Sequence, residues 1–317
     1  MLLNCLKTSK YLQADKSKLR FHLKTSSFSQ RLTFTPGKQI MKTRRDFIKI
    51  SVLTTAASLV PMGSSVQGAV KKDNKLKLGL ASYSLREFTQ AKAIAMAKRA
   101  GLDYICFKSM HLPLSATPKE LKDSSKRVND AGLTLYGGGV IYMKNESEVD
   151  QAFEYAKNAG MSVIVGVPDH SLLEYTNNKI KQYDIKVAIH NHGPGDDMYP
   201  SPESVYEKIK DLDPRFGLCM DIGHTERIGV DPTQAGEKYF SRLFDIHLKD
   251  VDKAAEDGKT VEVGRGVIDI PKFLSMLVEK NYQGVVSIEY EKDAEDPMPG
   301  LSESVGYIKG CLDAMGT

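Results

Sequence analysis

The chain has 317 residues, of which 41% are hydrophobic and 26% charged, a composition typical of a folded globular protein and unlike that of disordered, collagen-like or disulfide-stapled chains. Its net charge of +4 conceals an asymmetry, because residues 1–69 carry 12 Lys and Arg against two Asp, which leaves residues 70–317 at −6. Nucleic-acid-binding proteins normally carry a basic face, so the sequence argues against a nucleic-acid partner.

The first 69 residues are typical of a leader. Arg44-Arg45 precedes an apolar run, 50–60, of 11 residues, which is too short to span a bilayer as a helix. Small residues follow at 66–69, as a signal-peptidase site requires. The segment resembles a twin-arginine export signal, the alternative being a buried helix behind a basic loop. We therefore expect residues 1–69 to be removed or disordered, and the mature protein to be periplasmic without a stable membrane anchor.

From residue 76 onward, short apolar runs alternate with amphipathic stretches. Eight of these runs predict β-strands: 76–82, 104–107, 133–137, 162–167, 185–190, 217–221, 243–248 and 285–290. Glycines in the left-handed conformation are expected to end helices before four strands, at positions 101, 132, 160 and 284. Capping residues with a proline close behind predict helix starts at Thr117, Ser201, Asp231 and Asp269.

Strands that are separated by single helices pair in parallel, with right-handed crossovers. Eight such units in roughly 245 residues match a closed (β/α)8 barrel, so we predict an α/β protein with a single TIM barrel over residues 70–317. An open doubly wound sheet is the alternative. No Gly-x-Gly-x-x-Gly follows the first strand, and the glycine run 137–139 does not precede a phosphate-binding helix, which disfavours a dinucleotide fold.

The cysteines give no sign of a metal site of their own. Cys106, Cys219 and Cys311 follow the leader, widely spaced and odd in number. Cys106 and Cys219 each lie inside an apolar strand-like run. We therefore expect buried free thiols and no cysteine metal site.

The last four predicted strands end in side chains that bind metal ions. Four of the six histidines after the leader lie at or just past these ends, together with an aspartate and a glutamate: His190, His192, His224, His247, Asp221 and Glu289. Functional groups of a TIM barrel project from the carboxyl ends of its strands. Side chains alternate between faces, which groups Asp245, His247 and Lys249 on the interior face of strand seven. Mixed imidazole and carboxylate ligands suit Zn, Mn, Fe or Co, and octahedral Mg less well.

The order of these motifs resembles the xylose-isomerase-like TIM-barrel superfamily of sugar isomerases and epimerases. Strand five carries a ligand, strand six Asp-x-x-His, strand seven His and strand eight Glu, and Gly264-Arg265-Gly266 precedes the last helix. The resemblance covers the chain after residue 75 and implies one divalent ion (Mn, Zn, Co or Mg). It also implies these ligands: His190, Asp221, His247 and Glu289.

The resemblance further implies that His224 contacts substrate oxygens. Ketose epimerases of this family commonly have Glu at the strand-five position. This chain has His190 there, followed by His192, as in inosose-dehydratase-like relatives.

The implied function is a metal-dependent isomerase or epimerase that acts through a metal-stabilised enediolate. Export favours an unphosphorylated sugar or keto-sugar as the substrate, because phosphorylated sugars are mainly cytoplasmic. A dehydratase or keto-glycoside lyase that uses the same enediolate is the closest alternative. A non-catalytic sugar-binding barrel and a zinc endonuclease of the AP endonuclease IV type are more distant ones.

Proton transfer requires a base, for which Glu289 and His192 are the candidates, His192 being alternatively a further metal ligand. Lys108, at the end of strand two, is a second candidate base or oxyanion partner, the alternative being a solvated lysine. His111 and Arg265 are candidate substrate-binding residues, the alternatives being a loop histidine and a surface arginine. Aromatic residues that could stack on a sugar ring are Tyr83, Phe107, Tyr136 and Tyr142.

Overall fold

A computed structural model describes residues 75–316 of the chain. The predicted leader, residues 1–69, lies outside the described residues, so its role in export stays a prediction. Within 75–316, no helix is both long and apolar enough to cross a membrane.

Eight parallel strands form a closed barrel: β1 (Lys77–Ala81), β2 (Tyr104–Phe107), β3 (Thr134–Met143), β4 (Val163–Pro168), β5 (Lys186–His190), β6 (Phe216–Asp221), β7 (Leu243–Leu248) and β10 (Val285–Ile288). Each pairs with the barrel strand before and after it in the chain, and β10 closes the ring against β1. The predicted (β/α)8 barrel is therefore confirmed. An antiparallel ribbon that the sequence did not predict, β8 (Asp250–Val251) with β9 (Thr260–Val261), follows β7.

One or two helices follow each barrel strand: α1 (Gln90–Arg99), α2 (Pro118–Asp130), α3 (Glu146–Ala159), α4 (Leu173–Tyr183), α5 (Pro202–Ile209), α6 (Ile222–Arg227), α7 (Pro232–Lys238), α8 (Ile270–Glu279) and α9 (Met298–Met315). Short 3₁₀ turns cover Ser82–Leu85, His170–Leu172 and Phe240–Arg242. The predicted helix starts are confirmed, because the side chain of each capping residue accepts a backbone N–H from the first turn; these residues are Thr117, Ser201, Asp231 and Asp269.

Three of the four predicted helix-ending glycines have positive φ angles, between 69° and 81°: Gly101, Gly132 and Gly160. The prediction for Gly284 is wrong, because Asn281, with φ of 56°, takes the left-handed position after α8. Close packing, and not a left-handed conformation, requires a glycine at position 284. A Cβ there would lie 2.4 Å from the carbonyl oxygen of Phe244.

Alternation along the strands separates the core into two sets. In β6, Leu218 and Met220 belong to the large apolar cluster, whereas Cys219 belongs to a small one. The small cluster gathers side chains from β2, β3, β4, β5, β6 and β10, and therefore fills the barrel interior. Asp221 is the next residue on the face of Cys219. The same alternation places Asp245 and His247 on one face of β7, with His247 nearer the carboxyl end.

Candidate metal centre

Four side chains from four neighbouring strands meet at the carboxyl end of the barrel. His190 ends β5, Asp221 ends β6, His247 lies in β7 and Glu289 follows β10. One nitrogen or oxygen atom of each lies within 4.8 Å of those of the others. All four residues are buried, with exposed fractions of 0% to 6%. The tertiary structure thus brings together the four residues that the sequence predicted as ligands.

The atoms of this four-residue group face one another. His190 Nε2 is 3.0 Å from His247 Nδ1 and 3.6 Å from Asp221 Oδ2. His247 Nδ1 is 3.2 Å from Glu289 Oε2. Two imidazole nitrogens and two carboxylate oxygens form a donor set that suits Zn, Mn, Co or Fe. The residues therefore fit the divalent ion that the resemblance implies.

Burial keeps two of the histidines neutral. It lowers the pKa of His190 to about 3 and that of His224 to about 4, because a buried imidazole loses the hydration of its charged form. The pKa of His247 is instead raised, since the carboxylate of Glu289 outweighs the effect of burial. Metal ions bind neutral imidazole, so His190 is ready to act as a ligand at neutral pH.

Lys249 is a site residue to which the sequence analysis assigned no role. Its Nζ lies 3.0 Å from both Asp221 Oδ2 and Glu289 Oε2, and 3.3 Å from Glu291 Oε2, while the side chain is 2% exposed. Although burial acts in the opposite direction, His224 and Lys249 lower the pKa of Asp221. The alternation along β7, which puts Lys249 on the face of His247, is the signal that could have found it.

His192 lies beside the four-residue group. Its Nδ1 is 3.4 Å from Asp196 Oδ2, and its Nε2 is 3.2 Å from the hydroxyl of Tyr142, on which the ring stacks. The side chain is 25% exposed. Both ring nitrogens therefore face protein groups, and the acid/base and ligand roles of His192 both stay predictions.

His224 borders the same group. Its backbone N–H donates to Asp221 Oδ1 at 2.8 Å, and its Nε2 is 3.8 Å from Asp221 Oδ2. Its Nδ1 lies 3.2 Å from Nη1 of Arg227. With 15% of the side chain exposed, His224 is placed where a ligand at the mouth of the barrel can reach it.

Lys108 forms part of the wall at the mouth. Its Nζ donates to the carbonyl oxygen of Val140 at 3.1 Å and lies 5.9 Å from the ring centroids of Tyr83 and Tyr142. Burial lowers its pKa. Lys108 is therefore held in place by its neighbours, while its role as a base stays a prediction.

Two of the four aromatic residues predicted to stack on a sugar ring lie away from the mouth. Phe107 is 1% exposed and Tyr136 is 5% exposed. The hydroxyl of Tyr136 donates to Asp245 inside the barrel. Tyr83 and Tyr142, which flank Lys108, remain as candidates.

His111, a predicted substrate-binding residue, is buried against the segment that follows β1. His111 is 3% exposed. Its Nδ1 lies 2.9 Å from Ser82 Oγ, and its Nε2 lies 3.1 Å from the carbonyl oxygens of Leu85 and Phe88. Both ring nitrogens are thus engaged in holding the loop after β1. These contacts are those of the loop histidine that the sequence offered as the alternative, and a substrate role of His111 stays a prediction.

Arg265, the other predicted substrate-binding residue, lies on the surface and pairs with a glutamate. Its guanidinium bonds to Glu303 of α9, with 2.9 Å between Nη2 and Oε2, and its side chain is 63% exposed. The surrounding glycine segment is held by Asp250, whose Oδ2 accepts backbone N–H groups from Gly264 and Gly266 at 2.9 Å. Asp250 thus holds the segment as a loop, and a substrate role of the exposed Arg265 stays a prediction.

Cys106 and Cys219 are buried free thiols, as expected. The sulfur of Cys219 nevertheless comes within 4.8 Å of ring nitrogens of His190 and His247, a proximity that the sequence did not predict. Burial raises the pKa of Cys219, and its thiol donates to Asp245 at 3.6 Å. The protonated thiol is a weaker ligand than the two carboxylates.

A family model described as the xylose isomerase-like TIM barrel matches residues 94–311. The chain belongs to this family. An inosose dehydratase of Mesomycoplasma hyopneumoniae (strain 7448) is 28% identical over 152 residues, which are 42% of this chain and 50% of that protein. A rhizopine catabolism protein of Rhizobium meliloti is 26% identical over 145 residues, 41% of this chain and 44% of that protein. The chain thus spans about half the length of these curated relatives.

Solved structures of low sequence identity share the fold. A D-tagatose 3-epimerase-like protein superposes with a TM-score of 0.63 at 20% identity, over 76% of this chain and 98% of that one. A 3-keto-D-glucoside 4-epimerase of E. coli gives a TM-score of 0.61 at 15% identity, over 75% of this chain and all of that one. The proteins that are similar to this chain in sequence or in fold thus include ones named as a dehydratase and as epimerases.

Proposed function

We propose that the chain is a divalent-metal-dependent isomerase or epimerase of an unphosphorylated sugar or keto-sugar. The convergence of His190, Asp221, His247 and Glu289 within 4.8 Å of one another carries the proposal. Relatives named as inosose dehydratase and as keto-sugar epimerases support chemistry next to a sugar carbonyl.

The four-residue group would hold the ion, which when bound supplies Lewis-acid stabilisation of negative charge on a substrate oxygen. Around it, the chain provides fixed polar groups. His224 borders Asp221 and can donate to or accept from a substrate hydroxyl. The ammonium group of Lys108, at the mouth of the barrel, can bind an oxyanion.

Epimerisation and isomerisation both remove a proton from a carbon next to a carbonyl and return one to the resulting enediolate. We assign one proton transfer to His192, because its ring is accessible and Asp196 orients it. Glu289 is the candidate for the other transfer. Its backbone N–H donates to the carbonyl oxygen of Leu248 at 3.1 Å, which holds the residue beside β7.

A dehydratase or lyase reaction is the second candidate. The His190 and His192 pair and the 28% identity to an inosose dehydratase over 152 residues favour it. In that reaction the enediolate would expel hydroxide or an alkoxide from the next carbon instead of accepting a proton on carbon, and the leaving group would be protonated to water or an alcohol. The two reactions are distinguished by their products, because elimination yields an unsaturated or deoxy-keto sugar.

We also propose that residues 1–69 export the folded protein to the periplasm, on the evidence of Arg44-Arg45 and the short apolar run behind them. Replacing both arginines with lysine should leave the protein in the cytoplasmic fraction of the cell. Equal amounts of the variant and the wild type in the periplasmic fraction would contradict this proposal and would weaken the argument for an unphosphorylated substrate.

The enzyme proposal is tested by metal analysis and isotope exchange. The purified protein should contain about one divalent ion per chain, lose activity with a chelator and introduce solvent deuterium next to the carbonyl of a keto-sugar. Asp221→Asn and His247→Gln should abolish metal binding and exchange, whereas Arg265→Ala should preserve both. A protein that binds no Mn, Co, Zn or Mg and catalyses no exchange with any of them would contradict the proposal. Ligand binding that survives both site substitutions would favour a non-catalytic sugar-binding barrel.

A further inference from the structure

A second polar group lies inside the barrel, one interior position below the four-residue group on β7. Its centre is Asp245, which is fully buried. The hydroxyl of Tyr136 donates to both carboxylate oxygens at 3.0 and 3.1 Å, and Ser287 lies within hydrogen-bond reach of that hydroxyl. The thiol of Cys219 donates to Oδ2 at 3.6 Å. The carboxylate of Asp245 therefore accepts hydrogen bonds from two uncharged donors, Tyr136 and Cys219.

Oδ2 of Asp245, which accepts from Cys219, also faces a ring nitrogen of His247. Asp245 Oδ2 is 4.0 Å from His247 Nε2. That nitrogen is buried and has no hydrogen-bond partner among residues 75–316. The other nitrogen, Nδ1, is 3.0 Å from His190 Nε2 and 3.2 Å from Glu289 Oε2. The two nitrogens of His247 thus point in different directions, one toward the four-residue group and one toward Asp245.

We propose that Asp245 is a positioning residue for the metal centre: its buried carboxylate faces Nε2 of His247 at 4.0 Å and stabilises the proton on that nitrogen, which keeps Nδ1 unprotonated and available as a ligand. The inference rests on the proposed metal site. A neutral imidazole has one N–H, so a partner that fixes the proton on one nitrogen leaves a lone pair on the other. Metal-ligating histidines commonly donate their second N–H to a carboxylate or carbonyl oxygen.

The surroundings of Asp245 support this pairing. A buried carboxylate is costly unless polar groups face it, and among residues 75–316 the one His, Lys or Arg nitrogen within 4.0 Å of Asp245 is Nε2 of His247. On the other side of the ring, Nδ1 has two potential acceptors, His190 Nε2 at 3.0 Å and Glu289 Oε2 at 3.2 Å. A hydrogen bond to either would place the proton on the nitrogen that the metal requires, whereas Asp245 favours the proton on Nε2.

A purely structural role would make Asp245 only an acceptor for Tyr136. Two substitutions separate the roles. Asp245→Asn keeps the shape of the side chain but removes the anionic acceptor facing His247. Tyr136→Phe removes the donor to Asp245 and leaves the carboxylate opposite His247 intact.

The experiment is a zinc titration of the full chain against a competing chelator, with the melting temperature of each metal-free variant measured alongside. We expect Asp245→Asn to weaken zinc binding about 10- to 100-fold, and Tyr136→Phe to change it by less than about threefold. Equal weakening by both substitutions, or zinc binding by Asp245→Asn within about twofold of wild type, would overturn the positioning role. A wild-type chain that binds no zinc or other divalent ion would overturn the proposed function and this inference together.

A second measurement tests the positioning role of Asp245 even when Asp245→Asn does not fold. Long-range ¹H–¹⁵N spectra of the zinc-loaded wild-type protein report which ring nitrogen of His247 is protonated. A proton on Nε2 with Nδ1 bound to zinc supports the inference, and a proton on Nδ1 overturns it.

Discussion

The side chain of Lys249 passes through the space that Gly223 leaves open. A Cβ on residue 223 would lie 2.9 Å from both Cγ and Cδ of Lys249. The lysine then reaches Asp221 and Glu289 at 3.0 Å each. Gly223 lies between Asp221 and His224 of the Asp-x-x-His motif. Its lack of a side chain allows the buried ammonium group of Lys249 to reach the two carboxylates.

Removing the ammonium group of Lys249 should destabilise the metal-free protein. Lys249→Met leaves the two carboxylates without their ammonium partner, and breaking a buried pair in this way typically costs about 3–5 kcal/mol in the free energy of unfolding. A divalent ion should restore much of the loss, because it neutralises the same oxygens. Denaturant titrations with and without zinc measure both effects. Lys253→Met, on an exposed ion pair with Asp257, is the control; equal stabilities of the two variants would contradict the expectation.

Gly223→Ala should also destabilise the metal-free protein, because the added methyl group would displace the aliphatic part of Lys249. Overpacking of this kind costs about 1–3 kcal/mol. Gly306 in α9 provides a matched control, since a Cβ there meets nothing within 4 Å. Gly306→Ala should be neutral or stabilising by up to about 1 kcal/mol, because alanine favours the helix. A Gly223→Ala variant as stable as the control would show that the lysine stem does not depend on this glycine.

His192→Gln distinguishes an acid/base from a ligand. We expect deuterium exchange to fall about 10²- to 10⁴-fold, the usual contribution of a general acid or base, with zinc affinity unchanged within about threefold. Tyr142→Phe, which removes the hydroxyl 3.2 Å from Nε2, should slow exchange less. Proton NMR in deuterated solvent and zinc titration provide the two measurements. Loss of zinc binding in His192→Gln would identify His192 as a ligand instead.

Glu262 should make the stability of the fold depend on acid pH. The hydrogen bond from Lys292, at 2.8 Å, lowers the pKa of this carboxyl from its ordinary value of 4.5 to about 2. Because the folded pKa is below the unfolded one, the folded state binds fewer protons, so the stabilisation is present above about pH 5 and is lost as the pH falls toward 2.

The partial exposure of Lys292 reduces this stabilisation to about 1–2 kcal/mol. Glu262→Gln should therefore be less stable than wild type by that amount at pH 7, and the difference should shrink on acidification. Denaturant titrations at pH 7, 5 and 3 measure it. A constant difference across this range would contradict the pKa argument.

The contacts of His111 and Arg265 allow their predicted substrate roles to be tested. His111→Ala removes the ring that contacts the carbonyl oxygens of Leu85 and Phe88 and the hydroxyl of Ser82, which should cost about 2–4 kcal/mol in stability while leaving zinc affinity unchanged. Arg265→Ala removes an exposed ion pair and should cost at most about 1 kcal/mol. Stability and keto-sugar binding are measured for both variants. A selective loss of sugar binding without a loss of stability would support the substrate role.

The sequence by itself determined the barrel and the set of residues at its mouth. The strand pattern and the caps at Thr117 and Asp231 are local properties of the chain, since they depend on hydrophobic alternation and on backbone groups a few residues away. The strand pattern also predicts where the four proposed ligands meet, because each lies at or just past the end of a strand: His190, Asp221, His247 and Glu289. Once parallel strands close into a barrel, every strand ends at the same face.

Only the tertiary structure decided what each polar side chain contacts. His111 and His192 are alike in the sequence, as histidines just past strands, yet one is bonded to main-chain oxygens and the other faces the mouth. The partners of Lys249 and Asp245 lie on other strands, at distances along the chain that no periodicity encodes. Such contacts arise from the three-dimensional packing of distant segments, in which burial leaves each charge few partners.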